Sequence, residues 1–444
     1  MIPQLQREAP VAEMAATKQW SLPTRIGFRF VFAYYLLYVS PGPVGALSPY
    51  HPANELDRNV FVWVWHKIVP WVGVNILHLS SSQLAEVPNG SGDELYDYVL
   101  ILCLLVTAVL ITAVWSWLDR KRPNYEVLHR WLRLWMRMTV AWSMLGYGIK
   151  KLIGAQFTPP NLAKQIQPFG RTTPMGMLWT FMGASQAYSL VGGIGETLGG
   201  VLLVLPALTT LGALVSLAMM TNVLMLNMFY DVPRKIFSIH LVLMCLFLLL
   251  PDVRRLTNVL VLNRRADPVP EVPLFRDKLL NFGALLLPIF FGAYVLWAAG
   301  TQSVRDLKEE IATVPPAVHG VWSVGTLVVD GIAHPPLSSD GERWQDVVFD
   351  NPKILLVQLM NGTQAKYAMN MDSDLQHVSL HVDDPRWKGG FTLKSSGPNQ
   401  MILEGEIGGH HIIASLQRLD LSDPNEYPLV NRPFRWVNPT VDNP

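Results

Sequence analysis

Met144-Leu-Gly-Tyr-Gly-Ile-Lys-Lys151, Gly195-Glu-Thr-Leu-Gly-Gly200, Thr221-Asn222, Asn227-Met-Phe-Tyr-Asp231 and the pair Arg234-Lys235 with His240 all lie inside, or at the lip of, strongly apolar runs. A charge or amide held in hydrocarbon is costly, so residues kept there need a partner or a task. The stretch 144–250 therefore reads as a membrane bundle of four helices whose polar side chains meet in a pocket open to the outer face.

Working outward, the apolar runs mark seven spans. The four core spans cover about residues 134–153, 187–205, 208–229 and 236–250. Thr24–Ser40 precedes them, short and aromatic, with Arg25 and Arg29 at its start and Pro41-Gly-Pro43 behind it. Tyr96–Trp117 is the clearest signal, since roughly 20 apolar residues cross the hydrocarbon. Leu279–Ala299 is the last span. Arg120, Lys121, Arg122, Arg130 and Arg133 form one basic cluster, and Arg254, Arg255, Arg264 and Arg265 a second. Seven spans with the amino end inside put both clusters on the cytoplasmic side and the carboxy-terminal domain outside. Val60–Leu79 carries His66, Lys67 and Pro70 and reads as an interfacial amphipathic helix; as an eighth span it would turn Arg120–Arg122 outward. No cleavable signal peptide is expected, and the first helix should stay as an anchor.

The expected organisation is a cytoplasmic tail (1–23), the first two spans with the interfacial helix 60–79 (24–133), the four-helix core (134–256), a linker and last span (257–312), and an extracytoplasmic β domain with a carboxy-terminal tail (313–444). The expected location is a bacterial inner membrane. Half of the 444 residues are hydrophobic and 16% are charged, which suits a multi-pass membrane protein once the apolar residues are clustered. A net charge of +1 gives no reason to expect nucleic acid as a partner. Cys103 and Cys245 lie in apolar runs without metal or redox spacing, so a disulfide, a zinc site and a thiol relay are not expected, nor is any metal. The absence of duplicated halves argues against a transporter.

From His319 the texture changes. Val321–Val329, Arg343–Phe349, Ile354–Leu359, Gln364–Met371, His377–Val382, Gly390–Lys394, Met401–Ile407 and His411–Leu416 are short, β-rich and separated by Gly, Asn, Asp and Pro. They predict about eight antiparallel strands in a small barrel or sandwich of lipocalin-like size. The Pro428–Pro444 tail, with Trp436, should pack across it. His410 and His411 are adjacent, so in a strand they face opposite ways and make no metal pair.

Glu196 lies near the midplane of its span, and Gly192, Gly193, Gly195, Gly199 and Gly200 let a neighbouring helix come close. Asn227 and Asp231 are four apart, with Tyr230 adjacent, and Asn222 precedes them. A very short link makes the last two core spans antiparallel neighbours, which sets His240 opposite Asn222 or Asn227 as a ligand or proton-transfer group. Tyr147, Lys150 and Lys151 end the first core span on the outer side, where Arg171, Arg234 and Lys235 also fall. Five cations on the face that usually lacks them suggest an anion, or the polar head of a quinone or lipid. A lysine partly desolvated at a helix end is also a candidate base.

Gly146-Tyr-Gly-Ile-Lys-Lys151, the proline-rich loop that follows, Gly195-Glu-Thr-Leu-Gly-Gly-Val-Leu-Leu-Val204 and Pro206-Ala-Leu-Thr-Thr-Leu-Gly212 resemble the DoxX-like membrane family. The same segment is similar to the HTTM domain of vitamin K-dependent carboxylase-like proteins. The resemblance covers about a quarter of the chain and assigns residues 134–256 to a DoxX-like four-helix core. It implies a helix-end lysine and a mid-span acid facing one pocket. DoxX-type subunits are associated with thiosulfate:quinone oxidoreduction, and the carboxylase-like group uses a lysine base with a reduced quinone, a role that Lys150 or Lys151 would match. A catalytic chain would then be a quinone-dependent membrane oxidoreductase or a carboxylase-like enzyme.

Two readings follow. In the first, Glu196 and His240 handle protons while Lys150, Lys151 and Arg234 hold the head of a quinone or lipid-like ligand. In the second, the chain is a membrane scaffold whose β domain recruits an extracytoplasmic protein, and the buried polar groups only lock helices together.

Overall fold

The computed structural model describes residues 19–39, 60–84, 92–267, 275, 277–311, 317–371, 377–381, 389–423 and 427–431. The expectations for the amino-terminal tail before residue 19, Pro41-Gly-Pro43 and the tail beyond Asn431 lie outside these residues. The chain divides into two compact units. One comprises Met1–Ile149 and Ile194–Ala299, the other Lys150–Gly193 and Gly300–Pro444.

The helices are α1 (Leu22–Val39), α2 (Val60–Asn75), α3 (Leu95–Leu118), α4 (Glu126–Ile153), α5 (Leu162–Ile166), α6 (Pro174–Ala184), α7 (Gln186–Val204), α8 (Thr209–Phe229), α9 (Lys235–Leu249), α10 (Val253–Leu260), α11 (Lys278–Glu310) and a last turn, α12 (Pro428–Asn431). Among the described residues, five segments are long and apolar enough to cross a membrane: Leu95–Leu118, Gln186–Val204, Pro206–Phe229, Lys235–Leu260 and Lys278–Glu310. Their outer faces expose large apolar side chains such as Val109, Leu110, Leu211, Leu246, Leu287 and Phe290, a display that lipid covers and water does not. The protein is thus a multi-pass helical chain followed by a β domain.

Local chemistry sets the ends of these helices. Glu94 and Asp97 form a reciprocal capping box at the start of α3. α8 stops before Asp231, whose φ of 52° breaks the helical path. Asp93 starts α9 by accepting the backbone N–H of Lys235 and, at 3.0 Å, that of Ile236, which places a carboxylate on the positive end of the helix dipole. Arg29, at the foot of α1, is fully buried. Its Nε, Nη1 and Nη2 donate to Tyr125 Oη, Ser116 Oγ and the Asp119 carbonyl at 2.9, 2.9 and 2.7 Å. A buried cation is tolerable on those terms.

Among the described residues of the second unit, nine strands form one antiparallel sheet: β1 (Gly320–Val329), β2 (Ile332–His334), β3 (Trp344–Asn351), β4 (Ile354–Leu359), β5 (Gln364–Met371), β6 (His377–His381), β7 (Gly389–Gly397), β8 (Gln400–Ile407) and β9 (His410–Arg418). The order is β2-β1-β3-β4-β5-β6-β7-β8-β9, and β9 returns to pair with β1. The sheet therefore curls onto itself as a barrel rather than splitting into a sandwich, and it has one short strand, β2, beyond the eight expected. Asp330-Gly331 and Gly408-Gly409 make the tight turns with positive φ at both residues that hairpin twist demands. Trp322, Leu327, Val347, Phe349, Leu355, Val357, Leu403 and Ala414 fill the core.

Candidate functional site

α9 turns both Ser238 and His240 into the first unit, where both are buried. Tyr34 and Tyr38 of α1, four residues apart and so on one helix face, supply the surroundings of His240. Tyr34 Oη lies 2.6 Å from His240 Nε2. The Tyr38 ring stacks on the imidazole with centroids 3.9 Å apart and planes 9° from parallel, and Tyr35 meets the same ring edge-on at 6.4 Å. His240 Nδ1 lies 2.6 Å from the Ile236 carbonyl. A carbonyl only accepts, so Nδ1 carries a proton, and in the neutral ring Nε2 accepts from the tyrosine O–H. Such a pair can pass a proton, or present its donor to an acceptor that reaches it.

The expectation that His240 faces Asn222 or Asn227 is corrected by these contacts. Asn227 is buried, but its Nδ2 donates to Ser238 Oγ at 3.2 Å and to the Arg234 carbonyl at 3.3 Å; it braces the link into α9. Asn222 is exposed on α8. Tyr230 caps the end of α8. Asp231 lies past the helix end, so it does not continue the Asn227 face; it pairs with Lys235 at 2.8 Å with most of its carboxylate in the open. The Tyr147 ring lies 6.0 Å from that of Phe237.

Glu196 is 2% exposed. A Cβ on Gly200 would come 2.7 Å from Leu145 Cγ and 3.0 Å from the Ala141 carbonyl, and one on Gly199 would come 2.7 Å from Ser216 Oγ. α7 is thus pressed against α4 and α8 through glycine, as the sequence suggests. Glu196, three and four residues earlier, shares that face. The contacts of Glu196's face run to α4 and α8; those of His240 run to α1.

Lys150, Lys151 and Arg171 belong to the second unit. Lys150 is half-buried at the end of α4. Lys151 is buried, with its ammonium 5.8 Å above the Phe157 ring. Arg171 donates to the Asn361 carbonyl at 2.7 Å, on the turn between β4 and β5.

YwoB, an uncharacterized protein of Bacillus subtilis (strain 168), is 32% identical to this chain over 136 residues, which make up 30% of this chain and 82% of YwoB. The chain belongs to the same family as YwoB. No protein-family model matches it, and no solved structure gives a significant match. Kinship with YwoB names no activity.

Tyr34, Tyr38, Ser238 and Asp93 escape the sequence reading. The four-residue spacing of Tyr34 and Tyr38 is a visible signal of a shared face, but nothing local says that α9 lies against it. Asp93 sits in a polar link, where a carboxylate looks merely solvated.

Proposed function

We propose that the chain is an inner-membrane protein of seven spans, counting α1 and α4, with a DoxX-like core and its β domain outside the cytoplasm. On this reading it binds a quinone or lipid-like molecule whose polar head reaches the Tyr34–His240 pair. The observation that carries the reading is that pair, buried within a bundle whose outer faces are apolar. Its chemistry fits a quinone head: a carbonyl oxygen of such a head can take over the Tyr34 O–H from His240 Nε2, the one donor of the pair not tied to a backbone carbonyl, and Tyr38 offers a flat aromatic face. A bound quinone would supply the electron-transfer chemistry. The chain's own part is to hold the head, keep water away and hold a proton at Tyr34 Oη or His240 Nδ1.

The scaffold reading is favoured by a different observation, since Asn227, Ser238, Asp93 and Arg29 each have local partners and act as helix locks. Calorimetric titration of the purified protein with a short-chain quinone separates the two. Saturable binding that weakens at least tenfold in both Tyr34→Phe and His240→Ala supports the ligand site. Weak, non-saturable partitioning that is identical in all three proteins supports the scaffold.

A further inference from the structure

Arg133 and Arg137 project from α4 toward the ends of two other helices in the first unit. Arg133 Nη2 donates to the Leu248 carbonyl at 3.0 Å, at the end of α9. Arg137 Nη1 donates to Thr209 Oγ1 at 3.2 Å, at the start of α8, while that hydroxyl itself donates to the Pro206 carbonyl at 2.7 Å. Beside them Asp252 accepts from Thr210 Oγ1 at 2.7 Å and from Arg255 Nη1 at 2.9 Å. One carboxylate thus pairs with Arg255 and lies within the electrostatic reach of Arg133.

The hydrogen bonding of these arginines is incomplete. Nε of Arg133, of Arg137 and of Arg255 is buried with no acceptor among the described residues, and Arg137 as a whole is only 8% exposed. Arg29 shows what the same fold does with a guanidinium it uses as a lock, since all of its nitrogens are matched. A buried donor without an acceptor is unfavourable and calls for a partner. The partner missing here is an anion with several acceptor oxygens, small enough to sit among side chains and able to meet planar N–H groups in a fork. Phosphate oxygens meet that description.

We infer that this end of the bundle, built from Arg133, Arg137, Arg255 and the Thr209–Thr210 start of α8, binds a phosphate group. The inference does not depend on the Tyr34–His240 reading. In a membrane bundle the sources of a phosphate group are the head of an anionic phospholipid, for which basic pockets between helix ends are suited, and free inorganic phosphate.

The test uses the full chain in nanodiscs of phosphatidylcholine, with thermal unfolding as the readout, titrated either with phosphatidylglycerol in the disc or with inorganic phosphate in the buffer. The wild type should gain several degrees in a saturable way, and the half-saturating concentration should rise at least tenfold in Arg137→Gln. If that variant fails to fold, Arg255→Gln, whose side chain is 40% exposed, should show a smaller shift in the same direction. A response to phosphatidylglycerol alone assigns the site to a lipid head; a response to both shows that the free anion suffices. No response of the wild type to either probe, or equal responses in wild type and variants, overturns the inference.

Discussion

Tyr34 Oη and His240 Nε2, 206 residues apart in the chain, lie 2.6 Å from each other, and this polar contact, beside the stacked Tyr38 ring, joins the first helix to α9. Tyr34→Phe removes the donor and leaves a buried ring nitrogen unmatched, which costs roughly 1–3 kcal/mol. The variant should unfold at a lower temperature in detergent. A double-mutant cycle with His240→Phe should show that most of the loss belongs to the pair.

Gly200 meets Leu145 so closely that a methyl group has no room. Gly200→Ala should destabilise the helical unit by about 1–3 kcal/mol through overpacking. Leu145→Ala in the same chain should relieve part of that loss, with both effects read from thermal unfolding. If Gly200→Ala is neutral, α7 does not press on α4 as described.

Asp346 of β3 is buried on the outer face of the barrel, and desolvation pushes its carboxyl up to about 6 from an ordinary 3.8, with Ser323 pulling the other way. The folded chain therefore holds this proton more tightly than the unfolded one. Its contribution favours folding at low pH and is lost as pH rises through about 6. The loss is at most about 3 kcal/mol. Asp346→Asn should accordingly unfold later than wild type at pH about 7.5, and the gap should narrow as pH falls below about 6 and close only below about pH 4, under the carboxyl's ordinary value.

The proline-rich loop of the second unit is pinned to the barrel. Leu162 N–H donates to Asp350 Oδ2 at 3.1 Å and Gln364 Nε2 to the Ala163 carbonyl at 2.9 Å. Leu162, Ala163 and Ile166 cover Val321, Val348 and Leu356. Asp350→Ala should loosen this segment without opening the barrel, and limited proteolysis within residues 156–171 should speed up roughly two- to tenfold, the range expected from one lost hydrogen bond.

The strands were legible because alternation and paired turn residues such as Asp330-Gly331 are local signals. β2 escaped because three residues carry no period, and Arg343 read as strand although its side chain tucks under β1, with Nη2 on the Gly325 carbonyl at 3.0 Å. The exposure of Asn222 was within reach of arithmetic, since five residues turn a helix by about 500°, which leaves Asn222 and Asn227 about 140° apart. The company of His240 was not, because the chain's local spacing says which residues share a face and not which distant helix covers it. For the same reason the docking of Leu162–Ile166 on the barrel left no trace in a loop full of prolines.

The most direct test of the ligand site is to extract wild type, Tyr34→Phe and His240→Ala with organic solvent after purification from the membrane and to quantify the quinone and lipid released per chain. The account predicts close to one equivalent of a single species from the wild type and little from either variant. Wild type that releases nothing in stoichiometric amount, or folded variants that release as much as wild type, would contradict it.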